Sequence, residues 1–485
     1  MSPPLSAKNH PRRRSLVVSL AIALTGASVP LWTADVQAAK LLRAGDPHDV
    51  APSAPSIAVT NCADDGDGSL RQAIANAPDG GTIDLTALDC STITLTTGYI
   101  AVAQSDLRLV GPGAGLLSID GGAASSVLRH SGTGTLAVSG LAIANGTYQS
   151  VDAPKGGCLY SAGNIALENA AVSGCSLEGL DGSASALGGA IYTHGDLALT
   201  DSVVSSSKAH GTAFGSGGFG GGVYVAGNLT ALGSTIRDNQ AYGAPINNSA
   251  GGGVFVVGTT SITRTTIAYN GAFGAGGLYT QASVTIDSST ISNNSASSAA
   301  GMRASYIDGS PTATIVNSTI AANHSFGSVG GVNLLIAATI SNSTIALNDA
   351  NNGLSGLLMS GPTLELESTI IAGNTRAGDT PDDFAAYGSP VITGQDNLVV
   401  ASTDQMPPGT LTSDPMLGDL GNHGGPTETI PLLEGSPAID AGNDVAELAG
   451  DQRGFARIGG ARTDIGAFEV QVDEIFADGF DPAAP

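Results

Sequence analysis

The chain has 485 residues, of which 68 are glycine and only 12% are charged. Its 42 acidic side chains against 18 Lys and Arg give a net charge of −24, which excludes electrostatic binding to nucleic acid or anionic membranes. Acidic polymers would be repelled as well, unless a cation such as calcium bridged them.

The N-terminus reads as an export signal. Lys8 and Arg12–Arg14 precede an apolar stretch from Leu16 to Val29, and Val36-Gln37-Ala38 fits small-x-small cleavage. Residues 1–38 are therefore expected to be a signal peptide, too short in its apolar part for a stable membrane span. Cleavage before Ala39 removes four cations against Asp35 alone and takes the charge from −24 to −27. The mature protein is expected to be secreted, extracellular or on the outer cell surface, with no integral membrane segment. Residues 39–56 form a Pro/Ala/Ser linker.

Residues 57–120 are expected to hold an N-terminal cap and the first coils. Ser69 and Gln72 are spaced as a capping box for a short helix, Leu70–Ala77, stopped by Pro78 and Gly80-Gly81. Such a helix would cover the open end of a stacked fold. Asp65-Gly66-Asp67-Gly68-Ser69 looks superficially like a calcium loop, but Leu70 and Asn76 stand where an EF-hand needs Gly and Glu. It is read as a plain turn.

Residues 121–375 repeat. "STIRDN" (Ser234–Asn239), "STISNN" (Ser289–Asn294), "STIAAN" (Ser318–Asn323) and "STIALN" (Ser343–Asn348) recur with a period of 24 to 33 residues, and glycine pairs alternate with them. Such a period marks a solenoid, in which each repeat buries its core only against the next. The apolar anchor of the phrase is Ile143, Val172, Val204, Ile236, Ile267, Ile291, Ile320, Ile345 and Ile371. Before it, pairs such as Leu197/Leu199 and Val284/Ile286 alternate with polar residues, as in a half-buried strand. Asn169, Asp201, Gly233, Asn317 and Asn342 suit a left-handed bend between the two strands, whereas Arg264 and Ser288 interrupt that column. A third strand follows each glycine pair. The fold class is all-β: a single-stranded right-handed parallel β-helix, a pectin-lyase-like solenoid with a short N-terminal capping helix.

Two columns merit attention. Asn239, Asn270, Asn294, Asn323, Asn348 and Asn374 are expected to form a buried structural ladder, preceded by Cys175 and Ser207, while Ser292 on one of these coils is expected at the surface. Taking the second residue after each glycine pair as outward gives Leu159, Ile191, Tyr224, Phe255, Tyr279, Arg303, Asn333 and Leu358. Tyr224, Phe255 and Tyr279 then form an aromatic strip suited to stacking on sugar rings or a partner surface, or simply on one another. The four cysteines allow three pairings. Proximity favours Cys62–Cys90 and Cys158–Cys175, with buried thiols as the alternative for the second pair.

Residues 376–470 are expected to be C-terminal coils and a cap. Asp440, Asp451, Arg453, Arg457, Asp464 and Glu469 lie among Gly and apolar residues, and are read as an ion-pair network closing the last coils. Residues 471–485 form an acidic tail with no apolar span, read as disorder or a sorting tag.

Catalytic patterns are sparse. Asp287 and Glu367 share an outward column three coils apart, and Glu365 and Glu367 stand close together without a neighbouring basic group. "GSGGFG" (Gly215–Gly220) precedes a strand rather than a helix and is no nucleotide site. Neither a metal site nor a cofactor is expected, and no catalytic residue is assigned.

"GSLRQAIANA" with "LDCSTITLT" and "LRLVGPGAGLLSIDG" resembles the N-terminal module of bacterial proteins named for a CSLREA motif, although Gly68 and Gln72 replace that motif's cysteine and glutamate. The coils resemble polymorphic outer-membrane-protein repeats, with "GGAI" at Gly188–Ile191 and I-x-x-N for F-x-x-N. The stretches "DPMLGDLGNHGGPTETIPLLEGSPAIDAG" and "DQRGFARIGGARTDIGAFE" are similar to the choice-of-anchor Q domain. The resemblance implies a secreted or surface-displayed β-helix. The expected function is non-catalytic, in adhesion or in extracellular-matrix or carbohydrate contact, by a monomer. A polysaccharide lyase or glycoside hydrolase of the same fold is the alternative.

Overall fold

The computed structural model describes residues 56–180, 185–214, 216–244, 248–444 and 447–471. The expected signal peptide, nearly all of the linker and of the acidic tail, and Gly215 lie outside the described residues. Within them, three parallel sheets of 13, 12 and 11 strands stack coil on coil, beside one α-helix of seven residues. The chain is an all-β parallel β-helix. We call the sheets I, II and III in the order in which each coil visits them.

Sheet I carries the alternating strands, with Leu136, Ile165, Leu197, Leu229, Thr260 and Val284 in register. Sheet II carries the anchors, from Ile143 to Ile371, each paired with the next and each without exposed surface. The corner between these sheets is left-handed at each coil from Asn169 to Asn342. Asn169, Asp201, Gly233, Arg264, Ser288, Asn317 and Asn342 have φ between 46° and 59°. Arg264 and Ser288 therefore do not interrupt the bend. Their amides bond to Asp287 and Val316 on the next coil, and that pairing overrides a local penalty of about 1–2 kcal/mol.

The phrase S-T-I-x-x-N encodes two ladders. Each asparagine donates from Nδ2 to Oδ1 of the next, from Asn239 through Asn270, Asn294, Asn323 and Asn348 to Asn374, at 2.8–3.1 Å. The same oxygens accept the backbone N–H of the preceding rung. The series ends on a carboxylate, Asp383, whose Oδ1 accepts both donors of Asn374. The serine of the phrase forms the second ladder. Ser234, Thr265, Ser289, Ser318 and Ser343 each accept the N–H of the equivalent residue one coil earlier.

The glycines make room for the amides. A Cβ at Gly222, Gly253, Gly277, Gly301, Gly331 or Gly356 would sit 2.9–3.1 Å from the side-chain nitrogen of the facing asparagine. Where the ladder column holds Cys175, the glycine position holds Cys158, and the two are joined in a disulfide. Cys62–Cys90 is the other disulfide, and the described residues contain no free cysteine.

At the N-terminal end the helix Leu70–Asn76 buries Leu70, Ala73 and Ile74 in the main core. Ser69 Oγ accepts from Gln72 N, while the Gln72 side chain turns to Asn76. Only half of the capping box is made. Gln104 closes the other end by donating to Ile74 O and Ala77 O.

The C-terminal block follows the last strand of sheet II, Leu398–Val399. It folds back along the outward face of sheet II, where Gln452 bonds Thr290 and Thr319, Asn317 donates to the Gly450 carbonyl, and Ala467 N donates to Thr344 Oγ1. Ile370, Ala372 and Leu398 pack there against Leu432, Ala438 and Ile465. Ser292, on the same outward face, is buried rather than exposed.

Candidate functional site

Sheet III positions the site. Its strand register places Leu159 and Ile191 beside Val223 and Val254, all buried, so these two point inward rather than outward. The cause is a third glycine. Gly222 and Gly253 occupy the rung filled by Cys158 and Ala190 in the earlier coils, which shifts the apparent spacing by one residue. The outward column therefore runs Arg129, Tyr160, Tyr192, Tyr224, Phe255, Tyr279, Arg303, Asn333 and Leu358. Two rings of this column escaped the sequence reading.

The five rings stack in sequence. Centroids are 5.6, 5.5, 5.0 and 4.9 Å apart from Tyr160 to Tyr279, with interplanar angles of 5–13°. One coil rise of ~4.8 Å brings neighbouring rings to this distance without distortion. An arginine follows at each end, with the Arg129 guanidinium 4.6 Å from the Tyr160 centroid and Arg303 5.8 Å from Tyr279. Such contacts are worth roughly 0.5–1 kcal/mol where partly exposed.

The rings differ in access. Tyr192 and Phe255 retain only 3% and 7% of their surface, and Phe219 meets Phe255 edge-on. Tyr160, Tyr224 and Tyr279 are half-buried. Burial, with Tyr192 beside it, pushes the Tyr224 hydroxyl upward from its ordinary value. Tyr224 is therefore a neutral hydrogen-bonding group at any physiological pH.

The carboxylates noted in the sequence lie elsewhere. Asp287 and Glu367 share a column of sheet I, separated by Val316 and Ser341. Glu367 is buried beneath the C-terminal block, where Asn443 Nδ2 donates to Oε2 at 3.2 Å. Burial raises its pKa despite that bond. Glu365 remains exposed, with Thr339 Oγ1 at 3.4 Å. The charges of the C-terminal block are held mainly by backbone groups rather than by one another. Glu469 accepts from Gly459 N and Asp464 N, and Asp464 accepts from Asp440 N and Val470 N. Arg453–Asp451, at 2.6 Å, is the buried ion pair among them.

No protein-family model and no curated protein sequence matches the chain, so the CSLREA and choice-of-anchor Q likenesses have no counterpart there. Among solved structures, the chain is similar to a pectate lyase, Pel9A, at 14% identity and a TM-score of 0.40. The likeness covers 86% of this chain and 96% of that one.

Proposed function

We propose that this is a secreted or cell-surface β-helix protein that contacts carbohydrate or a surface partner through the outward face of sheet III, without cleaving it. The observation that carries the reading is the unbroken aromatic column from Tyr160 to Tyr279, with Tyr224 and Tyr279 partly open to solvent and Phe255 supporting them from within. Aromatic faces and edges give apolar area with a polar hydroxyl tip, which suits sugar rings. The column itself contains no carboxylate, whereas glycoside hydrolysis needs two that converge. Two disulfides support an oxidising compartment. They agree with removal of residues 1–38 on export and with the surface-displayed proteins that the CSLREA and choice-of-anchor Q likenesses imply.

The test is a glycan-array and cell-adhesion screen of the secreted protein beside Tyr224→Ala and Tyr279→Ala, with product analysis. Each substitution is expected to weaken binding by about fivefold to tenfold, equivalent to roughly 1 kcal/mol per ring. Binding indifferent to both rings would leave the column as scaffold, and released oligosaccharide would replace this reading with an enzymatic one.

A further inference from the structure

We propose that the N-terminal end of the aromatic column is an anion subsite, which takes a carboxylate- or sulfate-bearing sugar. The sugar class rests on the carbohydrate reading above, whereas the anion site stands on its own geometry. Arg129, Tyr148, Val151, Asp152, Ala153, Lys155 and Tyr160 line an open cleft of about 540 Å³, within the range of small-molecule sites. In a chain with 42 acids against 18 Lys and Arg, this lining inverts the balance to two cations and one acid.

The cations are held in place without being neutralised. The Arg129 guanidinium lies 4.1 Å from the Tyr148 centroid and 4.6 Å from Tyr160, and its NH1 donates to the Lys155 carbonyl at 3.2 Å. Lys155 Nζ stands 4.7 Å over the Tyr192 ring. Neither has an ion-pair partner among the described residues. By contrast, Arg71, Arg453 and Arg462 each reach a carboxylate within 3.1 Å. The two rings hold the Arg129 guanidinium beside the cleft, and the N–H groups that the Lys155 carbonyl does not take are donors for a planar carboxylate or a sulfate. The tyrosine hydroxyls and the Asp152 carboxylate add the donors and acceptor that hydroxyls of one sugar ring would use. The cleft opens where the column begins, so a bound saccharide would place its charged unit here and neutral units along the column against the half-buried Tyr224.

The experiment titrates the mature protein with D-glucuronate, glucose 6-sulfate and glucose, followed by ligand-observed NMR at 50 and 500 mM NaCl. Arg129→Gln and Lys155→Gln are compared with wild type, with circular dichroism as the fold control. Glucuronate, the sulfate or both should bind at least tenfold more tightly than glucose, and the preferred arm identifies the oxyanion source. Each substitution should remove about tenfold or more of that preference, and high salt should weaken it. Equal binding of glucose and the two anions, no anion binding at all, or an anion preference that survives both substitutions would overturn the subsite. Loss of glycan binding in Tyr224→Ala with the glucuronate preference intact would leave both proposals standing. A glucuronate preference in a protein whose glycan binding ignores Tyr224 and Tyr279 would sink only the column reading.

Discussion

The two ends of the described chain each take a carboxylate out of water, and they shift it in opposite directions. In the N-terminal cap, burial alone would raise the Asp64 carboxyl. Arg71 at 2.6 Å and the amides and hydroxyls of Thr96 and Thr97 hold it well below its ordinary value instead. In the C-terminal block, burial pushes Glu469 up to about 7, because two backbone N–H groups oppose it weakly and Asp464 adds a like charge. Arg457 is nearby and only 2% exposed, but its NH2 group is spent on the Asp464 and Gly466 carbonyls. The lesson is that a buried carboxylate is settled by the charge and number of the donors touching it. A guanidinium in the neighbourhood is not enough.

The comparison can be broken most strongly at Arg457. Arg457→Met removes the cation shared by Glu469 and Asp464 and strips two carbonyls of their donor. The block is expected to lose about 2–6 kcal/mol, since each of the two buried carbonyls left without a donor costs about 1–3 kcal/mol, read as faster hydrogen exchange across the described residues of 414–471 with the coils unchanged. Asp64→Asn should cost about 2–3 kcal/mol at pH 7, seen as a lower denaturation midpoint. Equal exchange in both ends of either variant would mean that the ends are one cooperative unit.

The pH response sharpens the contrast. Asp64 is depressed in the folded state, so its contribution is present above the ordinary carboxylate range, about 3.9, and is lost as pH falls toward its folded value. Glu469 is raised, so its contribution is complete below the ordinary glutamate value of 4.5 and is lost as pH climbs to about 7. Asp464 is raised as well, with burial as the main cause. Protection against exchange, taken relative to the intrinsic rate at each pH, should therefore rise in the block from pH 7 to 4.5 and fall around Asp64 below pH 4. The same sign at both ends would contradict the assignment.

Between the ends, the amide rungs from Asn239 to Asn348 carry no charge and should be indifferent to pH. Asn294→Leu is expected to cost roughly 1–3 kcal/mol at any pH between 4 and 8, because Asn270 and the Ile267 carbonyl lose partners. The smallest effect belongs to Ser292→Ala. Its buried Oγ has no hydrogen-bond partner, so the change should stay within about 0.5 kcal/mol.

The coils were legible because they repeat. A column of anchors or asparagines identifies its own register when each member faces the next, whereas the Cys158–Cys175 pairing was legible from sequence proximity alone. The aromatic column was legible only where the glycine pair kept its spacing. At Tyr160 and Tyr192 the pair is followed by Cys158 or Ala190 instead of a third glycine, and counting from the pair landed on Leu159 and Ile191. The docking of the C-terminal block was not legible. Ser292 and Thr290 look like surface residues because nothing local says that Gln452, 162 residues beyond Thr290, will cover them. The subsite at Arg129 was missed for a different reason: most of its lining lies in 148–155, a connection between the repeat columns, which Arg129 meets from the preceding coil.

The asparagine ladder has a direction. Along the column every amide gives one Nδ2–H to the side chain on its C-terminal side and the other to a backbone carbonyl of the coil before it, and Asp383 ends the series as an acceptor. A coil within it gives one such bond and receives one, which makes inner coils interchangeable parts, whereas the coil that faces Asp383 is unique. Length is thus a free variable of this architecture. Duplicating the 24-residue coil between Asn270 and Asn294 should yield a longer protein that still folds, whereas Asp383→Leu should unravel the last rungs; a duplicated variant that fails to express in soluble form would refute this modular view. Gene duplication ahead of Thr290, where the coils bonded by the C-terminal block begin, would then extend the outward face one rung at a time.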